Sequence, residues 1–539
     1  MSDYLPTRPL PLSTPSLPVL VNNGKQKNKK AILLFMGLLV LGCVFTGSRL
    51  FADVQHTGLT ESHNLLLLLP AIALFVALGF EFINGFHDTA NAVATVIYTG
   101  SLPPTVAVVW SSAFNFLGVL ASSGAVAFGI ISLLPVELTL QAGSSNSFAM
   151  IYALLFSAII WNLGTWWLGL PASSSHTLIG SIIGVGVANA LLHGRSAASG
   201  VNWAQALNIG YSLILSPIVG FVCAALLLML LKRLVKKPQL YRAPERKGAP
   251  PLWIRGLMVL TCTGVSFAHG SNDGQKGMGL IMLILVATLP VTYSLNRSLP
   301  ASTTSQLVTL AETSKAQLLQ QFPEENVQPP REVLATYLRD GQRTSKVIPA
   351  LAQIEGMMAA TLHQYGSLSD IPAAKISRVH NDLYLAAETI KRLEADKTLM
   401  LSAATQQSLH QLQQHIDAAT QFIPSWVKIA VALALGLGTL VGWRRIVTTL
   451  GEKIGKSHLN YAQGLSAELV TMGTIGAADA FGLPVSTTHV LSSGIAGAMA
   501  ANRSGLQSGT LRNMILAWVL TLPAAALISA GLYWIFITL

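Results

Sequence analysis

Two stretches of this chain put ionisable groups where their neighbours are apolar. "EFINGFHDTANAVAT" (Glu81–Thr95) carries Asp88 and Asn91, and "SFAHGSNDGQKGMGL" (Ser266–Leu280) carries Asp273 and Lys276. Groups three residues apart share a helix face. Asp88 and Asn91, with carbonyls freed beside Gly85, could hold a cation or a proton. Asp273 and Lys276 form either an ion pair that lets two charges survive burial or a couple that titrates in use. A charge near mid-bilayer costs roughly 2.5–3.5 kcal/mol on insertion scales, so Lys276, the sole Lys or Arg predicted inside the membrane core, calls for an explanation.

A second pair of motifs offers the opposite chemistry. "GLPASSSHTLIGS" (Gly169–Ser181) and "GLPVSTTHVLSSG" (Gly482–Gly494) share Gly-Leu-Pro followed by hydroxyl residues. A proline after a glycine break is suited to open a helix. Ser173, Ser174 and Ser175 in one copy, and Ser486, Thr487 and Thr488 in the other, then bring O–H and free N–H donors to a helix N-terminus. That end carries about +0.5 charge and binds anions without a lysine. The plainer reading is that these hydroxyls only cap the helices or bond back to carbonyls. Asn272, next to Asp273, is counted as a further anion donor. His176 and His489 follow the triplets as neutral imidazoles orienting the loop or as proton-sensitive groups near the anion. Glu81 lies two turns before Asp88; with Glu468 and Asp479 it is a candidate proton relay, or a helix-end acid.

These groups need elements to hold them. Of 539 residues, 51% are hydrophobic and 11% charged, whereas soluble domains run near a quarter charged. The windows 31–47, 105–134, 206–231 and 429–442 carry no charge and, with their flanks, approach the roughly 20 residues that span a bilayer. The fold class is therefore an all-α polytopic membrane protein. The net charge of +11 sits just outside apolar spans, the pattern of cytoplasmic loops, which argues against nucleic acid as a partner and for membrane lipid. Cys43, Cys223 and Cys262 fall in apolar runs without paired spacing and read as small core residues. No nucleotide fingerprint appears, which disfavours ATP-driven transport. Adjacent Ser and His at one helix start are poorly oriented for proton transfer, so an intramembrane hydrolase is disfavoured too.

The basic loops fix a topology. Residues 1–30 read as a disordered cytoplasmic tail and 31–51 as an additional N-terminal span. Residues 60–231 form a first repeat and 232–251 a basic cytoplasmic loop. The second repeat comprises 252–295 and 425–539, interrupted by a helical extramembrane insert, 296–424, on the outer side. The span with Asp88 then starts from outside and the span with Asp273 from inside. Acid motif and hydroxyl motif recur in the same order in both halves, Phe82/Phe267, Gly85/Gly270 and Asp88/Asp273 matching without gaps. Opposed halves of this kind are an inverted-topology repeat, whose broken or re-entrant helices meet around a mid-membrane substrate site. The insert reads as a cap or lid.

At the acid motifs the sequence closely resembles the PiT family of inorganic phosphate transporters, whose signature is a duplicated Gly-x-Asn-Asp-x-x-Asn. Here it stands as "GFHDTAN" (Gly85–Asn91) and "GSNDGQK" (Gly270–Lys276), and the likeness covers roughly 60–295 and 425–539. The resemblance implies import of inorganic phosphate as a neutral divalent metal–phosphate complex, coupled to protons, across a bacterial inner membrane. Magnesium, calcium or zinc would be a co-substrate, with no fixed cofactor. In sodium-coupled relatives the motif's Asp and last Asn supply cation ligands. This chain has His87 and Lys276 at two motif positions, and an ammonium cannot ligate sodium. The expectation is proton symport with Lys276 replacing one sodium ion. Sodium-coupled phosphate symport and a permease for sulfate or another oxyanion stay open, as does assembly into a homo-oligomer.

Overall fold

The computed structural model describes residues 29–55, 64–133, 145–244, 250–322, 327–396 and 398–538. Most of the expected N-terminal tail (1–30) and part of the basic loop (232–251) lie outside them. Among the described residues there is no strand beyond one isolated bridge, Gly455 to Leu506.

The first half contains α1 (Lys29–Gln55), α2 (Asn64–Asp88), α3 (Ala90–Tyr98), α4 (Pro104–Ala121), α5 (Ala125–Ile131), α6 (Ser145–Leu168), α7 (Ser174–Leu192) and α8 (Trp203–Leu234). Then comes α9 (Leu252–Thr288), which carries the second acid motif. The described residues of the insert hold the α-helices α10 (Ala301–Gln321), α11 (Pro330–Asp340), α12 (Val347–Tyr365), α13 (Ala373–Ala395) and α14 (Ala403–Thr420). The chain closes with α15 (Ser425–Thr439), α16 (Arg444–Glu452), α17 (Tyr461–Ala480), α18 (Thr487–Ala501) and α19 (Ser508–Thr538). Among the described residues eight helices are long and apolar enough to cross a membrane, and the pair α14–α15, bent by 70°, would make a ninth.

The bundle's outer face is apolar, and its interior sets the polar residues of the motifs among buried apolar clusters. Helix α8 exposes Leu207, Ile214, Leu215, Ile218 and Leu226, and α19 exposes Ile515, Leu516, Val519, Leu520 and Leu527. Such faces suit acyl chains, while the helices' backbone groups are satisfied along their own axes. Of the cysteines only Cys262 is buried; Cys43 and Cys223 lie on the outer face. That corrects their reading as core residues, because apolar composition marks lipid-facing and core positions alike.

Helix pairings in one half recur in the other with the partners exchanged. Helix α7 packs on α19 and α18 on α8; α4 packs on α9 and α15 on α2; α6 meets α7 as α17 meets α18. Glycines set the closest crossings. A Cβ on Gly270 would stand 2.1 Å from the Asn115 carbonyl, and one on Gly85 2.2 Å from the Leu435 carbonyl. Helix α9 therefore runs unbroken through its acid motif, the glycines admitting α4 rather than ending the helix. In the first copy the helix is interrupted at Thr89, yet the Gly85 carbonyl is not freed: Thr89 donates to it through its amide (3.1 Å) and its hydroxyl.

The hydroxyl motifs also start differently from expectation. Gly169 (φ +69°) and Gly482 (φ +65°) end the preceding helices, but the new helices begin at Ser174 and Thr487, three residues beyond each proline. Ser173 and Ser486 are the N-caps, accepting from the His176 and His489 amides at 3.2 Å each. A side-chain acceptor for an orphan N–H decides the start, so proline stays in the extended lead-in.

The insert has its own core, including Leu307, Leu334, Leu351, Ile354, Leu383, Ile390, Leu409 and Leu412. At its necks, Tyr293 and Trp426 both donate to the Asp53 carboxylate of α1, at 2.8 and 2.9 Å.

Candidate functional site

The interruption after α2 leaves Asp88 at a helix end facing two other helix starts. The Ser174 hydroxyl donates to its Oδ2 at 2.9 Å, and the Thr488 hydroxyl donates to its Oδ1. Asn91 donates to Thr488 Oγ1 at 2.9 Å and to Thr487 Oγ1 at 3.4 Å. One carboxylate thus draws on both hydroxyl motifs.

The second acid motif meets the same region from α9. Lys276 Nζ donates to Asp273 Oδ1 and to Ser175 Oγ, both at 2.5 Å, and to the Val485 carbonyl at 3.2 Å. The Ser175 hydroxyl itself donates to the Val485 carbonyl at 2.8 Å. Asn272 clamps the lead-in of the second hydroxyl motif, donating to the Leu483 carbonyl at 3.2 Å and accepting from the Val485 amide at 3.4 Å. Asp88, Asp273 and Lys276 are at most 1% exposed. A buried ammonium needs this full set of acceptors to persist.

Asp88, Asn91, Ser174, Thr487 and Thr488 form one hydrogen-bonded cluster and Asp273, Lys276 and Ser175 a second, the two meeting at the chain neighbours Ser174 and Ser175. Ser173 and Ser486 face helix backbone as caps, and Asn272 holds backbone too. Glu81 is buried beside α9: its side chain fills the space a Cβ on Gly277 would need, and Asn84 donates weakly to its Oε2 at 3.5 Å. Glu468 accepts from Thr95 and Thr261, and Asp479 from Ser271 (2.6 Å) and Gln275 (2.5 Å).

Sequence reasoning missed His269. One helical turn before Asp273, its Nδ1 lies 2.8 Å from Asn115 Oδ1 and its Nε2 3.2 Å from Asp273 Oδ2. Those last two atoms are buried and not aligned as donor and acceptor. One ligand atom each from Asp88, His269 and Asp273 falls within 4.8 Å of the others. The four-residue spacing in "HGSND", which places His269 and Asp273 on one helix face, was the available signal.

A network of neutral donors, a buried ammonium and two carboxylates can hold an oxyanion next to a cation. The sequence profile described as "Phosphate transporter family" matches residues 84–529. This chain belongs to that family. It is 43% identical to the low-affinity inorganic phosphate transporter PitA of Escherichia coli K12, over 90% of this chain and 98% of that protein. It is 42% identical to PitB of the same organism, over 89% and 97%. A low-affinity inorganic phosphate transporter of Buchnera aphidicola (subsp. Acyrthosiphon pisum, strain APS) is 38% identical, over 90% and 98%. As a member of the phosphate transporter family with eight membrane-length apolar helices among its described residues, the chain is a multi-pass membrane transporter and not an enzyme. The match takes in both hydroxyl motifs and all but the first three residues of the Glu81–Thr95 stretch, including Asp88.

Proposed function

We propose that this chain imports inorganic phosphate with protons across the bacterial inner membrane, the phosphate arriving as a complex with a divalent metal ion. The anion site lies between the starts of α7 and α18, with Ser174, Ser175, Thr487 and Thr488 as donors and Lys276 as fixed positive charge. The exchanged helix pairings and the charge-derived topology support two halves of opposite orientation.

The observation that carries this reading is the sharing of Asp88 by Ser174 and Thr488. Those hydroxyls cannot donate to Asp88 and to phosphate with the same proton. When phosphate takes them, the buried Asp88 carboxylate is left with the longer contacts to Asn91 and His87, both at 3.4 Å, a state that costs free energy unless a positive charge arrives with the anion. Anion and cation must therefore load together. The unaligned pair His269 Nε2 and Asp273 Oδ2, with Asp88, supplies the nitrogen and oxygen ligands that suit a divalent cation travelling as part of the substrate. Asp273 Oδ1 stays with Lys276, whose ammonium takes up the space of a second cation. Glu81, buried beside Lys276, is a further stop for a proton.

Uptake of labelled phosphate by proteoliposomes, with imposed proton or sodium gradients and with or without Mg²⁺, tests this. Proton-driven, Mg²⁺-dependent uptake is expected, and Lys276→Asn is expected to lose the proton-driven part. Uptake driven by sodium alone overturns the reading.

A further inference from the structure

Each hydroxyl motif places one histidine in the first turn of its helix, and the two rings meet. His176 and His489 have ring centroids 4.7 Å apart at an angle of 43°. His489 also stacks on Trp518, with centroids 4.3 Å apart. His176 Nδ1 and His489 Nε2 are buried and have no hydrogen-bond partner. Rings that only oriented the loops would be expected to use both nitrogens, since buried polar groups are nearly always paired. The loops are already fixed by Ser173 and Ser486.

The surroundings give the two rings unlike neighbours. Ser175, just before His176, receives the Lys276 ammonium, and Thr488, just before His489, donates to Asp88. The other charged and titratable groups on the packed helices are few. Helix α6 carries no Asp, Glu, Lys, Arg or His, and neither does α3. Helix α8 has only Lys232 and Arg233, in its last turn, and α19 only Arg512, near its start. On α17, Glu468 and Asp479 are held by their own donors. His87 and His269 face Asp88 and Asp273 at 3.4 and 3.2 Å.

We propose that His176 and His489 work as one unit, an imidazole pair that takes up the transported proton as phosphate binds and releases it as phosphate leaves. The inference rests on the proton-coupled reading above and names where that proton travels. With the anion site empty, Lys276 and two positive helix ends disfavour added charge on the pair. A phosphate dianion on Ser174, Ser175, Thr487 and Thr488 brings negative charge to within one residue of both rings and favours a single imidazolium. Two would repel at this separation. The proton comes from the outer solution, rests on a ring nitrogen lone pair, and goes to the inner solution. Linkage makes the effect mutual: phosphate tightens proton binding and the proton tightens phosphate binding by the same factor.

The double variant His176→Gln/His489→Gln keeps polar side chains but cannot titrate. Two assays are compared in proteoliposomes: phosphate–phosphate exchange without a gradient, and uptake driven by a proton gradient. Exchange is expected to persist while driven uptake falls by roughly 5–150-fold, the usual range of coupling between two ligands, and the pH dependence of phosphate affinity is expected to flatten. The single variants H176Q and H489Q, each disrupting the pair, should show the same split and serve if the double variant does not fold. Unchanged driven uptake and pH profile overturn the inference; so does equal loss of exchange and driven uptake, which would make the rings scaffolding. Wild-type protein driven by sodium and not by protons would instead refute the parent reading.

Discussion

Lys276 shows how one side chain can be both a liability and a fixture. Its ammonium is 1% exposed and reaches Asp273, Ser175 and the Val485 carbonyl. Lys276→Met would leave Asp273 buried without its cation. Removing one partner of a buried pair costs roughly 3–5 kcal/mol, far more than removing both. Thermal unfolding of the purified protein should therefore show K276M well below wild type, with the double variant D273N/K276M recovering most of the difference. Equal melting of K276M and wild type would mean that Asp273 is not held by Lys276. A sequence reading reaches this pair because two charges three residues apart in apolar surroundings stand out. His269 is marked in the sequence only by its four-residue spacing to Asp273, a fainter signal than two charges three residues apart.

At the scale of elements, the contacts that bring the motifs together are backbone against backbone. Gly270 lets α9 lie on the Asn115 carbonyl of α4. Gly270→Ala must push the two helices apart, since a carbonyl cannot rotate away, and overpacking of this kind costs roughly 1–3 kcal/mol. The expected result is a lower melting temperature together with weaker uptake, because Asp273 and His269 ride on the same helix. Normal uptake and melting would show that the crossing is looser. The helical class and the doubled motifs were legible in the sequence, since apolar length and repeated residue types survive without three-dimensional context. The glycines' role was not: a glycine that ends a helix and one that admits a neighbour look alike until the neighbour is present. Proline and serine competed in the same way for the start of α7 and α18, and the caps at Ser173 and Ser486 decided it. The encounter of His176 with His489, 313 positions apart in the chain, could not be inferred from either motif alone.

On the scale of the whole molecule, the insert is a second folded body with its own acid–base behaviour. Burial pushes Glu355 up to about 8 from an ordinary 4.5, and its Oε2 lacks a partner. Folding therefore holds a proton that the unfolded chain releases, so this group's contribution is complete below pH 4.5 and is lost as pH rises to about 8. His380 acts oppositely: burial lowers it from 6.5 to about 4, so its contribution to stability grows from pH 4 to 6.5. The two offset between about 4.5 and 6.5, and a net loss on the order of 2 kcal/mol remains between pH 6.5 and 8. Amide exchange in α10 and α12, within the full chain and corrected for intrinsic rates, should quicken across that window. Glu355→Gln should flatten the response; an unchanged response would assign it elsewhere. Asp53, tying both necks of the insert to α1, joins this body to the transport bundle, in which we propose that one anion is held by two halves.

The most direct measurement of that claim is the position of the anion itself. Arsenate, a tetrahedral oxyanion whose arsenic scatters anomalously, can be bound in crystals of the protein and located in an anomalous difference map. One peak is expected between the starts of α7 and α18, within hydrogen-bonding reach of Ser174 or Ser175 on one side and Thr487 or Thr488 on the other. A peak held by one motif alone, or away from both, would contradict the account.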